Sequence, residues 1–363
     1  MINFIVDGVA LSSNILELAG GNSFEIKSVP KNYKVFWNEK NPTDVIDSEY
    51  KEGDVILMDR DLFDLYPVKN KTIYLVEATE DNKSITKILE VIEFLFNKNF
   101  NKGNKLLVVG GGIIQDIGAF VSAIYKRGIS WVLFPSTVLS MCDSCIGGKT
   151  GINYGDTKNQ LALFSAPDKI IICPTFIKTL SEESIRSGLG EILKLCVTGG
   201  EFFLNLYRKY VTKGRVEESE YYKFLIFGAL AVKKAIIESD EFELNIRKSL
   251  NYGHTIGHVL ESLSNYNIPH GQAIVTGMLI VNKLNKFSNP MLDRLCMDLI
   301  NKRDLKKLEL GGIKSLLLKD KKAIGNEITF VFVDSPGNTV FSNIKITNKL
   351  ITKIEDSIRE IYE

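Results

Sequence analysis

The chain has 363 residues, 45% apolar and 25% charged, which are ordinary globular values at a length that allows two domains. Its net charge of +1 offers no field for nucleic acid or an anionic membrane surface, so an anionic ligand must be met by a local basic cluster. No apolar run approaches the roughly 18 residues of a membrane span. The Met1–Asp7 start lacks a basic region and cleavage signature, so no signal peptide is expected. Cys142, Cys145, Cys173, Cys196 and Cys296 are an odd set without framework spacing, which points to a reduced, cytoplasmic protein.

Short apolar runs alternate with turns through the first half. Tyr33–Trp37, Asp54–Met58, Thr72–Val76, Lys105–Val109, Trp131–Phe134 and Lys169–Cys173 read as buried strands. Between them, residues 84–96 and 113–125 have helical spacing, so a parallel sheet covered on both faces is expected. Cys142-Asp-Ser-Cys145 has the form of a redox pair but no thioredoxin-like surround, and reads as small buried residues in a loop. Ser181-Glu-Glu-Ser184 then opens a helix with early carboxylates, and helical periodicity runs to Leu318. Glu327–Val333 and Thr339–Phe341 flank Pro336-Gly337 as a hairpin, and residues 346–362 form a closing helix. The expected fold is a Rossmann-like α/β domain over residues 1–175, followed by a mainly α-helical domain over residues 176–363.

Three segments carry chemistry. Gly110-Gly-Gly112 follows a strand and precedes a helix, where a backbone can approach a pyrophosphate and the helix N-terminus favours its charge. It is not the usual GxGxxG fingerprint, and a plain tight turn is the alternative. Glu80 and Lys83 follow another strand end and suit ribose and phosphate, or else a solvated helix start. Residues 135–153 and the following Lys158-Asn159 are too rich in small and polar residues for core. Lysines beside glycines there, with Asp143 near Lys149, suit anion or cofactor binding.

The third segment holds the only histidines of the chain, His254, His258 and His270. Such confinement suggests one task, holding a divalent metal or combining metal with proton transfer. Glu191 and Lys194 lie three apart on an apolar helix, where a buried pair is costly unless coordinated or paired. Glu191 with two histidines makes a catalytic zinc ligand set. Spacing leaves open whether the pair is His254 with His258 or His254 with His270. Lys194, Lys233 and Arg247 can receive a doubly anionic substrate, with Asn251 on the Arg247 segment, or they are surface charges.

Taken together, the chain resembles the 3-dehydroquinate synthase family of sugar-phosphate cyclases. The ordered set carries the resemblance: Glu80-x-x-Lys83-Ser, Gly110-Gly-Gly-x-x-x-Asp116, Tyr125-Lys-Arg127-Gly128, Asp143-Ser-x-x-Gly-Gly-Lys149-Thr-Gly-Ile-Asn153 and Lys158-Asn159. It continues with Arg186-Ser-Gly-x-x-Glu191-x-x-Lys194, Arg247-x-x-Leu-Asn251-x-Gly-His254-x-x-Gly-His258, His270-Gly271 and Asp320-Lys-Lys322. The resemblance implies NAD at Glu80, Lys83, Gly111, Gly112, Asp116, Ser136, Thr137, Lys149, Lys158 and Thr179. It implies a divalent metal, zinc or cobalt, on Glu191, His254 and His270. It places substrate against Asp143, Lys194, Lys233, Arg247, Asn251 and Lys321, with Arg127, Asn159 and His258 serving its phosphate. The activity implied is cyclisation of 3-deoxy-arabino-heptulosonate 7-phosphate to 3-dehydroquinate with phosphate release, by a cytosolic homodimer of the shikimate pathway. Another sugar phosphate, or a metal-dependent polyol or alcohol dehydrogenase reaction, is the alternative. Gln115, Ser136, Asn245 and Gln272 depart from the family pattern, where glycine, threonine, glycine and glutamate are usual.

Overall fold

The Val-, Ile- and Leu-rich runs of the first half are apolar on consecutive positions, so neither face can be left in water, and they become the strands of one seven-stranded sheet. The computed structural model describes residues 1–155, 157–211, 219–320 and 322–363. The chain divides into two units, one built on Leu16–Leu180 and one joining Met1–Ile15 to most of the chain from Ser181.

In the Leu16–Leu180 unit the strand order is Ser23–Ile26, Tyr33–Trp37, Lys169–Ile172, Ser130–Pro135, Lys105–Gly110, Val55–Asp59, Ile73–Val76. The six expected strands are all present and run parallel, and Ser23–Ile26 adds an antiparallel edge. From Val55–Asp59 the chain moves outward to Ile73–Val76, then crosses back to Lys105–Gly110 on the other side. That reversal is the switch point at which doubly wound sheets bind ligands beyond their strand ends, and Gly110–Gly112 sits there. The stretch after Pro135 is more regular than a loop. It makes a π-helical turn, Ser140–Ser144, and then an antiparallel hairpin of Lys149–Tyr154 with Thr157–Phe164. Thr150 and Ile152 point inward in this hairpin, a period of two that neighbouring glycines and polar residues hide in the sequence.

The other unit carries a five-stranded sheet in the order Ala323–Ile324, Glu327–Ser335, Asn338–Lys345, Ile2–Val6, Val9–Ser13. The expected hairpin about Pro336-Gly337 is at its centre. Residues 1–15, assigned from sequence to the α/β domain, instead belong here. Ile2–Val6 pairs parallel to Asn338–Lys345 and buries Phe4 and Val6. The closing helix is Asn348–Tyr362, capped by Thr347. Among the described residues no helix is long and apolar enough to cross a membrane.

Three helices build the centre of this unit. Glu182–Gly199 starts on the Ser181 hydroxyl, which accepts from Ser184 N at 3.2 Å, and is buried from Ser187 to Gly199. His254–Leu263 and His270–Leu284 follow. Their backbones touch at glycines. A Cβ on Gly190 would lie 2.5 Å from the Gly271 carbonyl oxygen, and one on Gly271 or Gly277 would run into the carbonyl of Ser187 or Gly253. Gly277→Ala is therefore expected to destabilise the protein by about 1–3 kcal/mol, because a backbone carbonyl cannot swing away as a side chain can. Gly311→Ala, with nothing within 4 Å of the added carbon, should stay within about 0.5 kcal/mol in the same denaturant titration.

Candidate active site

Glu191 sits in the middle of the Glu182–Gly199 helix and is fully buried, a position that is costly for a carboxylate without partners. Its two oxygens divide the task. Oε2 is 2.6 Å from Nζ of Lys194, one turn on. Oε1 is 3.2 Å from His270 Nε2 and 3.6 Å from His254 Nε2. His254 and His270 each open a helix, and each ring is held from behind. Nδ1 of His254 lies 3.2 Å from the Tyr252 carbonyl oxygen, and Nδ1 of His270 lies 3.2 Å from Glu261 Oε1. The structure thus groups Glu191 with His254 and His270, whose ligand atoms all lie within 4.8 Å of one another. His258 stands beside them, its ring centroid 5.3 Å from that of His254 and 6.1 Å from that of His270.

The electrostatics fit a cation at this point. Burial pushes His254 well below the ordinary imidazole value, with the Lys194 charge adding to it. Burial, with Lys322, takes His258 down to about 4. Burial pulls His270 the same way, but the hydrogen bonds and charges of Glu191 and Glu261 outweigh it and carry this imidazole up to about 10. In the metal-free protein two carboxylates therefore hold an extra proton on His270; without it, Glu191 Oε1 and the Nε2 atoms of His254 and His270 supply one oxygen and two nitrogens, a donor set that fits a divalent ion.

Cationic and amide side chains occupy the same unit. Asp240 accepts from the backbone N–H of Leu244, Asn245 and Arg247 at 2.9, 2.8 and 2.9 Å, which fixes the turn entering the Arg247 segment. Asn245 there has φ of −136° and ψ of −99°. Arg247 is buried and donates to the Glu241 carbonyl. Asn251 donates to Glu243 Oε1 at 3.0 Å, and both line one cavity with Lys248, Lys322 and Thr329. Lys322, which the sequence brought forward only weakly, lies 3.8 Å from Asp320 and 3.4 Å from the Thr255 hydroxyl. Lys233 is buried in the Ser219–Ser239 helix. Lys321 lies outside the described residues.

The Leu16–Leu180 unit gathers the residues expected to bind the dinucleotide. The Gly110 carbonyl accepts from Ser136 N at 3.0 Å, and a Cβ on Gly111 would lie 3.0 Å from the Thr137 methyl, so both strand ends form one surface. At Gly112, the first residue of the helix, an added Cβ would meet nothing within 4 Å. Lys83 Nζ is 2.6 Å from both Asp116 Oδ2 and Asn159 Oδ1. Asn153 donates to Glu80 Oε1 at 2.8 Å and accepts from Asn159 N at 3.0 Å, while Glu80 Oε2 is 3.5 Å from Lys158 Nζ. Glu80, Lys83, Asp116, Lys158 and Asn159 are thus one network joined through Asn153. Asn159 has a φ of +54°, a left-handed conformation that asparagine tolerates. Asp143 lies on the π-helical turn, and Arg127, Lys149 and Thr179 are exposed.

The chain matches the descriptions "3-dehydroquinate synthase N-terminal" over residues 73–187 and "3-dehydroquinate synthase C-terminal" over residues 188–323. The 3-dehydroquinate synthase of Pelagibacter ubique is 33% identical over 310 residues, spanning 81% of this chain and 84% of that protein. The chain belongs to the 3-dehydroquinate synthase family. Among solved structures, a 2-deoxy-scyllo-inosose synthase complexed with carbaglucose-6-phosphate, NAD+ and Co2+ has a TM-score of 0.75 at 17% identity, covering 93% of this chain and 99% of its own. The 2-epi-5-epi-valiolone synthase of Streptomyces hygroscopicus, with NAD+ and Zn2+ bound, has a TM-score of 0.74 at 20% identity over the same shares, 93% and 99%. Both share the fold.

The departures from the family pattern have local accounts. Gln272 is buried and its Oε1 accepts from Asn301 N at 3.1 Å. Ser136 is buried with its backbone N–H on Gly110. Gln115 reaches from the glycine turn to the π-helical turn, donating to the Ser144 carbonyl at 2.7 Å and accepting from its hydroxyl at 2.8 Å. Gln115→Ala is expected to cost about 1–2 kcal/mol of stability through loss of these two bonds, read as a shift of the denaturant midpoint.

Proposed function

We propose that this chain catalyses the NAD-dependent, metal-assisted cyclisation of 3-deoxy-arabino-heptulosonate 7-phosphate to 3-dehydroquinate, with release of phosphate. The observation that carries the reading is the convergence of Glu191 Oε1 with the Nε2 atoms of His254 and His270 beside the buried Lys194, in a chain of this family. When bound, a divalent metal on Glu191, His254 and His270 would lower the pKa of a substrate hydroxyl, and NAD would take up the hydride and return it.

The residues divide the remaining work. Lys194 fixes Glu191 Oε2, which leaves Oε1 turned to the histidines. Arg247, anchored by Asp240, offers a guanidinium suited to the substrate carboxylate, and Asn251, oriented by Glu243, hydrogen-bonds a hydroxyl. His258 is held neutral at physiological pH, so it offers one N–H and one lone pair for hydrogen bonds to the substrate without adding charge. Lys233, Lys321 and Asp143 orient the sugar, while Arg127, Asn159 and His258 meet the phosphate. Glu80, Lys83, Asp116 and Lys158, with the turn at Gly111 and Gly112, hold the dinucleotide, and Ser136, Thr137, Lys149 and Thr179 complete its site. Holding the reacting groups in one geometry makes elimination and ring closure intramolecular. The protein acts as a cytoplasmic homodimer.

The test is phosphate release from the heptulosonate phosphate with metal and catalytic NAD. Stoichiometric phosphate with no net NADH is expected. Phosphate from a different sugar phosphate alone would move the substrate, and accumulating NADH would make the protein a dehydrogenase. Glu191→Ala should lose bound metal and turnover together; retained metal with a near-normal rate overturns the assignment.

A further inference from the structure

We infer that Glu261 is a positioning residue of the metal centre, the outer carboxylate of a Glu–His–metal relay through His270. The inference rests on the proposal that Glu191, His254 and His270 hold a cation. His254, His258 and Glu261 lie at i, i+4 and i+7, one face of the His254–Leu263 helix. From that face Glu261 crosses to the next helix and places Oε1 3.2 Å from Nδ1 of its first residue, His270. A neutral imidazole has one N–H and one lone pair. Once a cation displaces the Nε2 proton, the Nδ1–H given to Glu261 commits the lone pair to Nε2, the nitrogen 3.2 Å from Glu191 Oε1.

His254 shows the same logic with a different partner, its Nδ1 facing the Tyr252 carbonyl. The carboxylate behind His270 adds something a carbonyl does not. His270 is the first residue of its helix, where the positive end of the dipole disfavours a cation, and Lys194 adds further positive charge beside Glu191. The charge of Glu261 offsets both. Its reach is set by backbone packing, because a Cβ on Gly253 would lie 2.5 Å from the Ile274 carbonyl oxygen and one on Gly257 2.7 Å from the Ile274 side chain. The ligand atoms of His258, Glu261 and His270 also lie within 4.8 Å of one another. A second cation there would need the Nδ1 lone pair of His270, and so would exclude the hydrogen bond to Glu261.

The experiment titrates zinc into the full-length protein and its variants against a chromophoric chelator, with ¹⁵N NMR of His270 in the zinc-loaded state. Wild type should bind one zinc at this cluster, with Nδ1 of His270 protonated and Nε2 metal-bound. Glu261→Ala should weaken zinc by about 10–100-fold, measured at a temperature where the zinc-free variant is still folded. Glu261→Gln should lose less, because its amide oxygen still accepts the N–H. Unchanged affinity in Glu261→Ala overturns the inference, as does a second zinc lost in that variant. Should Glu261→Ala fail to fold, a His270 protonated on Nε2 in wild type or in Glu261→Gln overturns it alone. Failure of the underlying assignment looks different: Glu191→Ala then binds zinc as tightly as wild type.

Discussion

A fully buried carboxylate with different partners on its two oxygens is the constraint on which this unit turns. Left alone, Glu191 would be unaffordable in an apolar helix bundle. Lys194 balances it on one side, and two imidazole nitrogens meet it on the other. Removing one partner of such a buried pair typically costs about 3–5 kcal/mol, so the helix keeps both or neither. The centre is thus a structural necessity as much as a chemical device. In the metal-free fold a proton on His270 balances part of the carboxylate charge.

The glycines explain how Glu191, His254 and His270, far apart in the chain, bring their side-chain atoms within 4.8 Å of one another. Gly190, Gly253, Gly257, Gly271 and Gly277 let the backbones of three helices meet, with no side chain to act as a compliant spacer. Close-packed interiors pass displacements on with little loss, so the spacing of Glu191, His254 and His270 is set by backbone contacts at the next residue and within about two turns of them. In the α/β unit Gly110 and Gly111 let Ile114 and Thr137 pack close, Gly112 leaves the helix start open, and Glu80, Lys83, Asn153 and Asn159 form a polar network.

Much of this was legible in the sequence, for identifiable reasons. The six parallel strands are runs with apolar residues on consecutive positions, a pattern that two-sided burial explains, and Pro336-Gly337 marks its hairpin by turn chemistry alone. Glu191 was legible because an acid on an apolar helix demands an explanation. What stayed hidden depends on distance. Ile2–Val6 pairs with Asn338–Lys345, at the opposite end of the chain. The choice between His258 and His270 depends on a crossing of two helices, which i,i+4 spacing cannot report. Glu261 carries no mark in the sequence, because its partner His270 lies across the turn on the next helix. Gln115 looked like a defect in a dinucleotide turn, and is a bridge to Ser144.

The most direct measurement is a crystal structure of the zinc-loaded protein with anomalous data collected across the zinc edge. The expected result is one anomalous peak bound by Glu191 Oε1 and the Nε2 atoms of His254 and His270, at about 2.0–2.2 Å. A peak held through His258 instead, or a zinc that leaves Glu191 paired only with Lys194, would contradict it.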